Sequence, residues 1–377
     1  MQNEALSLAK KLCSTMMEKF QPEDLPPKGS WHYHQGVFLL GMYKIYEITK
    51  DVKYYNYIKA YVDSKINHAN RISYNCTFDD AMPSILLFPL YKENNDVKYK
   101  VTLDECAMWI PKYFKTPSGG FWHKFTTSNQ MWLDGFYMAQ PLCVKYASEF
   151  GGHDEFYEMA YTQLKLMKKS TRDEKTGLWY HAYDESRKAP WCDKETGKSP
   201  EFWGRAFGWI GCALVDIIEY MPESCNYKDY FIETLKEYVE AVISVQDKNS
   251  GIWYQVLDKG YDSQNWLETS CSCLFTYTIL KGIRMGYVDN KYLKNAYAAF
   301  EGIKKQLTFE DDKVLINNIC IGTPVGDYQH YINRPRTVND LHGAGAFLLA
   351  MSEICKLETI MQGGNLSEKS ESCQNYV

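Results

Sequence analysis

The sequence predicts an all-α protein whose helices pair into six hairpins and close as an (α/α)6 barrel. Three observations point there. Apolar residues recur mostly at helical spacing, as in "WHYHQGVFLLGMYKIYEIT" (31–49) and "YKDYFIETLKEYVEAVISVQ" (227–246). Three loops between helical segments share one pattern: "SGGFWHKF" (118–125), "TGLWYHAY" (176–183) and "SGIWYQVL" (250–257). No Pro/Gly/Ser-rich linker divides the 377 residues, which argues against two domains.

The periodicity places twelve helices near 3–19, 31–49, 51–67, 78–92, 97–114, 129–149, 153–169, 201–220, 226–246, 264–285, 289–306 and 338–356. Pro141 should kink the sixth, because proline cannot donate the ladder hydrogen bond. The three similar loops each carry a turn glycine, an apolar residue and a tryptophan, and a closed ring of hairpins would bring them out on one rim. Their uneven spacing disfavours an open solenoid. Residues 1–361 are read as one barrel domain, and the polar tail 362–377, "QGGNLSEKSESCQNYV", as disordered.

Composition narrows the function classes. The net charge is -5 and no basic block stands out, so no nucleic-acid partner is expected. No stretch is long and apolar enough for a membrane helix, and the N-terminus lacks the apolar core of a signal peptide. A cytoplasmic protein with twelve reduced cysteines is expected, in which the acceptor patterns at Asn75 and Asn365 stay unglycosylated. Aromatic residues make up 15 %, which suits both a large core and a platform for ring-shaped ligands.

"GKS" at 197–199 hints at a phosphate loop, but the glycine required five residues earlier is Cys192. His32 and His34 would face different ways on a helix, Cys271 and Cys273 have no second thiol pair, and HExxH is absent, so no metal or other cofactor is expected.

Asp134 is the one acid in "NQMWLDGFYMAQP" (129–141), a segment apolar on every side as a helix. Burying an unpartnered carboxylate costs several kcal/mol or more. It is a helix cap, a buried ion-pair partner, or an acid/base whose pKa burial has raised. Asp79 and Asp80 in "FDDA" are helix-start caps or, for one of them, a second acid of the same site. Arg205, framed by aromatics in "SPEFWGRAFGW" (199–209), either stacks or binds a carboxylate. His123, Lys124 and His181 lie on the tryptophan loops. Together they would set donor groups on the rim near Asp134, which suits an anionic sugar.

The blocks "GGFWHK", "NQMWLDGFYMAQP", "HAYDES", "SPEFWGRAFGW" and "NDLHGAGAFLLA" occur in order between about Trp31 and Ala350. In these the chain resembles the unsaturated rhamnogalacturonyl hydrolases, glycoside hydrolase family 105, more than the related unsaturated glucuronyl hydrolases. That family has an (α/α)6 barrel and removes Δ4,5-unsaturated galacturonyl residues from pectin-lyase products, small oligosaccharides. The resemblance implies that Asp134 is the catalytic acid/base. It also implies that Asp79, His123, Lys124, His181, Trp203, Arg205 and Tyr33 bind substrate. Such chemistry protonates an enol-ether carbon, so Asp134 should have a raised pKa, with Arg205 and Lys124 turned to the substrate carboxylate. A conventional inverting hydrolase using Asp134 and Asp79 on saturated sugars, and a non-catalytic sugar-binding protein, are the competing readings.

Overall fold

The computed structural model describes residues 1–67, 69, 71, 72 and 77–373, with side chains to 362. Asn75 and the side chain of Asn365 therefore lie outside the described residues. The helices are α1 (Gln2–Lys19), α2 (Tyr33–Thr49), α3 (Val52–Lys65), α4 (Phe78–Ala81), α5 (Leu87–Asn94), α6 (Val97–Trp109) and α7 (Leu133–Phe150). They continue as α8 (Glu155–Thr171), α9 (Gly204–Tyr220), α10 (Lys228–Ser244), α11 (Thr269–Arg284), α12 (Leu293–Lys304), α13 (Tyr328–Ile332) and α14 (Leu341–Cys373). Six strand pieces accompany them: β1 (Gln130–Trp132), β2 (Ala182–Asp184), β3 (Leu307–Glu310), β4 (Lys313–Ile316), β5 (Ile319–Cys320) and β6 (Arg336–Thr337).

The inner wall is a closed ring in which α2 packs on the 78–94 segment, then α7, α9, α11 and α14, which returns to α2. Outside it, α1, α3, α6, α8, α10 and α12 back the inner helices. This is the (α/α)6 barrel that the hairpin pattern predicts.

Where the elements depart from expectation, local chemistry explains it. The helix expected over 78–92 breaks into α4, a 3-10 stretch Met82–Leu86 and α5. Pro83 lacks the N–H that a continuous α-ladder needs. The helix expected from 129 begins at Leu133 instead, because residues 130–132 pair as β1 with β2. Pro141 lies inside α7. His32 precedes α2 in an extended conformation, φ -147°, so it does not follow the helical spacing assumed for it. The backbone of α14 is described to Cys373.

Two of the three glycine loops, and the segment that ends in "GKS", share a turn that reads Asp-x-x-Thr/Ser-Gly. Asp173, Asp193 and Asp247 each accept a hydrogen bond from the backbone N–H three residues on, at 2.9, 2.6 and 2.7 Å. Each turn closes on a glycine with positive φ: Gly177 (74°), Gly197 (78°) and Gly251 (79°). "GKS" is thus the end of such a turn and not a phosphate loop. The extended pieces that follow these turns stitch the rim together. β1 pairs with β2, Ser199 N–H donates to Ala182 at 2.9 Å, Leu257 to Phe202 at 3.0 Å, and Gln255 to Trp266 at 2.8 Å.

At the opposite end, buried ions tie the inner helices together. Lys281 on α11 meets Asp216 and Glu219 of α9 at 2.7 and 2.8 Å, and Arg284 meets Glu353 of α14 at 2.6 Å. Among the described residues no helix is long and apolar enough to cross a membrane.

The tightest seam lies between α2 and α14. A Cβ on Gly345 would sit 2.5 Å from the Val37 carbonyl carbon, and one on Gly41 would sit 2.8 Å from the Gly345 oxygen. Backbone on both sides cannot yield without moving a helix. Gly345→Ala should therefore lower stability by about 1–3 kcal/mol through overpacking. A chemical-denaturation curve unchanged from wild type would contradict this seam.

Candidate active site

Because the inner helices run parallel, they begin at the same rim. Tyr33 and His34 open α2, Asp79 lies in α4, Asp134 in the first turn of α7, Arg205 in the first turn of α9, and Asp340 directly precedes α14. Helix N-termini carry free N–H groups and partial positive charge, so the rim favours anions.

A cavity of about 260 Å³ opens there. Its polar wall comprises His32, Tyr33, His34, Asp79, His123, Lys124, Asp134 and Arg205. Its apolar and backbone wall comprises Trp132, Met138, Trp203 and Gly322–Pro324. This volume lies at the small end of ligand pockets, which suits a single sugar ring. A larger groove of 510 Å³ on the outside of α1 is lined by exposed side chains such as Lys10 and Lys53 and contains none of these groups.

Seven of the eight residues singled out from sequence line this cavity, and the eighth, His181, stands behind Asp134. Asp79 lines it and Asp80, although also buried, does not, which separates the two acids of "FDDA".

Asp134 keeps 15 % of its side chain exposed, and its Oδ2 lies 3.0 Å from Nε2 of the fully buried His181. The proton positions follow from the neighbours. Gly326 N–H donates to the Tyr331 hydroxyl at 3.3 Å, and that hydroxyl lies 2.7 Å from His181 Nδ1. The hydroxyl donates to Nδ1, which leaves the imidazole proton on Nε2, pointed at Asp134. Trp203 lies 4.6 Å from the His181 ring and stacks on Tyr331 at 5.7 Å, so the relay is walled by aromatics.

The raised pKa expected for Asp134 is corrected by this arrangement. Burial pushes its carboxyl up, but His181, by field and by hydrogen bond, together with His123 and Arg205, outweighs burial and holds it below the usual range. In the free protein Asp134 is a carboxylate.

The two cations expected to face a substrate carboxylate both line the cavity and both already have protein partners. Lys124 Nζ lies 2.8 Å from Asp79 Oδ2. The Arg205 guanidinium is buried, lies 4.3 Å over the Trp203 ring, and donates to the Cys320 and Ile321 carbonyls at 2.6 Å each. It anchors the 319–321 backbone against α9. Burial pushes Asp79 up, yet His123, Lys124 and His32 bring it down to about 2. Burial also pushes His123 down to about 4, leaving a neutral ring stacked 4.3 Å from Trp132. Gly135 of "WLDG" makes room for it, since a Cβ there would lie 3.2 Å from His123 Nδ1.

Sequence reasoning missed Tyr331, which reaches His181 from 150 positions away and sits in the five-residue helix α13, too short for periodicity to register.

Comparison with known proteins shows the family and the fold. The model of glycosyl hydrolase family 88 matches residues 8–358. A glycoside hydrolase from family 105 of C. acetobutylicum ATCC 824 superposes with a TM-score of 0.86 at 36 % identity, covering 92 % of this chain and 98 % of that one. The unsaturated rhamnogalacturonyl hydrolase YesR of Bacillus subtilis is 26 % identical over 287 residues, 72 % of this chain and 75 % of its own. The unsaturated 3S-rhamnoglycuronyl hydrolase of Formosa agariphila is 26 % identical over 351 residues, 86 % of this chain and 84 % of its own. The chain belongs to glycosyl hydrolase family 88, within the superfamily that joins family 105 to the unsaturated rhamnogalacturonyl and glucuronyl hydrolases, and is a glycosidase.

Proposed function

We propose that this glycosidase removes a terminal Δ4,5-unsaturated galacturonyl residue from small lyase-derived rhamnogalacturonan oligosaccharides by hydrating the C4=C5 enol ether. The observation that carries the reading is the Asp134–His181 pair at 3.0 Å, set in an aromatic cavity sized for one ring.

The chemistry needs a carboxyl that is protonated at the start and basic a moment later. The free protein holds Asp134 ionised, so substrate must supply the change. A bound uronate brings a second negative charge beside Asp134, and like charges raise a carboxyl pKa. A proton taken up on Oδ1 leaves Oδ2 still accepting from His181, whose Nε2–H keeps the group oriented. Asp134 then gives that proton to C4, and positive charge develops at C5 and the ring oxygen. Water adds at C5 and returns a proton to Asp134. The resulting hemiketal opens, and the aglycone leaves without attack at C1. The neutral rings of Trp132, His123 and Trp203 wall the site while the cation develops.

Two variants test this. Asp134→Asn should lower the loss of ultraviolet absorbance from an unsaturated galacturonyl disaccharide by about 10²–10⁴-fold, the usual worth of general acid–base catalysis. Retention of most activity, or equal turnover of the saturated disaccharide by wild type, would refute the enol-ether route. Tyr331→Phe removes the hydroxyl that sets the His181 tautomer. It should cut kcat by roughly tenfold, the worth of one such hydrogen bond, with KM little changed. An effect confined to KM would refute the positioning role of Tyr331.

A further inference from the structure

Beside the cavity, the starts of α2 and α14 bring together His34, Asp340 and His342, with one ligand atom from each inside a 4.8 Å group. Neither the Asp134–His181 pair nor the Asp79–Lys124 pair uses them.

The proton count around this group is constrained. His342 Nε2 lies 3.0 Å from the Cys320 carbonyl, which can only accept, so the ring proton is on Nε2. A neutral His342 then presents a bare Nδ1. That atom is fully buried, and Asp340 Oδ1 stands 2.8 Å from it. Two electron-rich atoms so close repel unless a positive charge joins them.

His34 extends the pattern. Its Nδ1 lies 2.9 Å from Nδ1 of His32, so one of the two must donate. With His34 donating, His32 carries its proton on Nε2, toward Asp79 Oδ2 at 3.7 Å. His34 is left with a bare Nε2, 3.8 Å from Asp340 Oδ1. In that arrangement each ring hands its N–H outward, one to a backbone carbonyl and one to another imidazole, and turns a lone pair inward on one carboxylate. Metal-bound histidines are held in this way. The expectation that His32 and His34 face apart fails because His32 lies outside the helix.

We propose that His34, Asp340 and His342 bind a divalent transition-metal ion of the zinc class at the wall of the cavity. Two imidazole nitrogens and one carboxylate oxygen are a donor set suited to zinc, which leaves a fourth position for water or a substrate oxygen. Ligand atoms about 2 Å from a tetrahedral zinc stand roughly 3.4 Å apart. The observed separations of 2.8 and 3.8 Å from Asp340 Oδ1 bracket that value. His34 also lines the cavity, which places the ion where a uronate would meet it. The binding itself does not depend on the proposed reaction.

The test uses the full chain without an affinity tag, stripped with a chelator and titrated with Zn²⁺ in a calorimeter. One equivalent should bind, and Co²⁺ in its place should give the visible bands of a tetrahedral site. His34→Gln and Asp340→Asn should each weaken Zn²⁺ binding at least about tenfold, and His32→Phe, which removes the partner of His34 Nδ1 but keeps all three ligands, by about 10–100-fold. His153→Gln, on the surface, should leave it unchanged. Wild-type protein that takes up no stoichiometric Zn²⁺ and no tetrahedral Co²⁺ would overturn the proposal. Unchanged affinity in folded His34→Gln and Asp340→Asn would overturn it equally.

Discussion

The inner helices all begin at one rim, and the chemistry of the site follows from that constraint. A closed ring of parallel helices gathers their free N–H groups and partial positive charges around one small cavity. Asp79 and Asp134, placed in first turns, are held as carboxylates there by the side chains the rim gathers, His123, Lys124 and His32 about the one and His181, His123 and Arg205 about the other, even though both are buried. At the opposite end, ion pairs among Asp216, Lys281, Arg284 and Glu353 tie the inner helices together.

The same constraint changes how the proposed acid works. A greasy pocket alone would keep Asp134 protonated, ready before substrate arrives. Here His181 and the surrounding charges favour the anion, and the proton must come with the ligand. On the proposed route an anionic sugar would provide that change through its own charge, which a neutral sugar could not do. Selectivity for uronates and activation of the acid would then share one cause. Tyr331 and Gly326 matter because they settle which imidazole nitrogen faces Asp134.

Much of this was legible in the sequence. The long amphipathic segments announced their helices, because one face of each must meet the core. The odd acid in "WLDG" announced a site, because an unpartnered carboxylate in apolar surroundings is costly. What stayed hidden depends on contacts distant in sequence. β1 replaces the first turn of a helix only because β2 lies beside it. Arg205 is committed to the Cys320 and Ile321 carbonyls, more than 100 positions away, and nothing local foretells that. His32 and His34 converge because the helix starts between them, a boundary that periodicity does not resolve to one residue. The Asp-x-x-Thr/Ser-Gly turns were present in the sequence as a pattern, but their tryptophans drew attention first.

The most direct measurement is the titration of Asp134 itself, followed by the carboxyl-carbon NMR signal of aspartate-labelled protein and assigned by its loss in Asp134→Asn. In the free protein the account predicts a pKa below the ordinary 3.8, moving upward when galacturonate saturates the cavity. A free-protein value above the ordinary one, or no upward movement with the uronate bound, would contradict it.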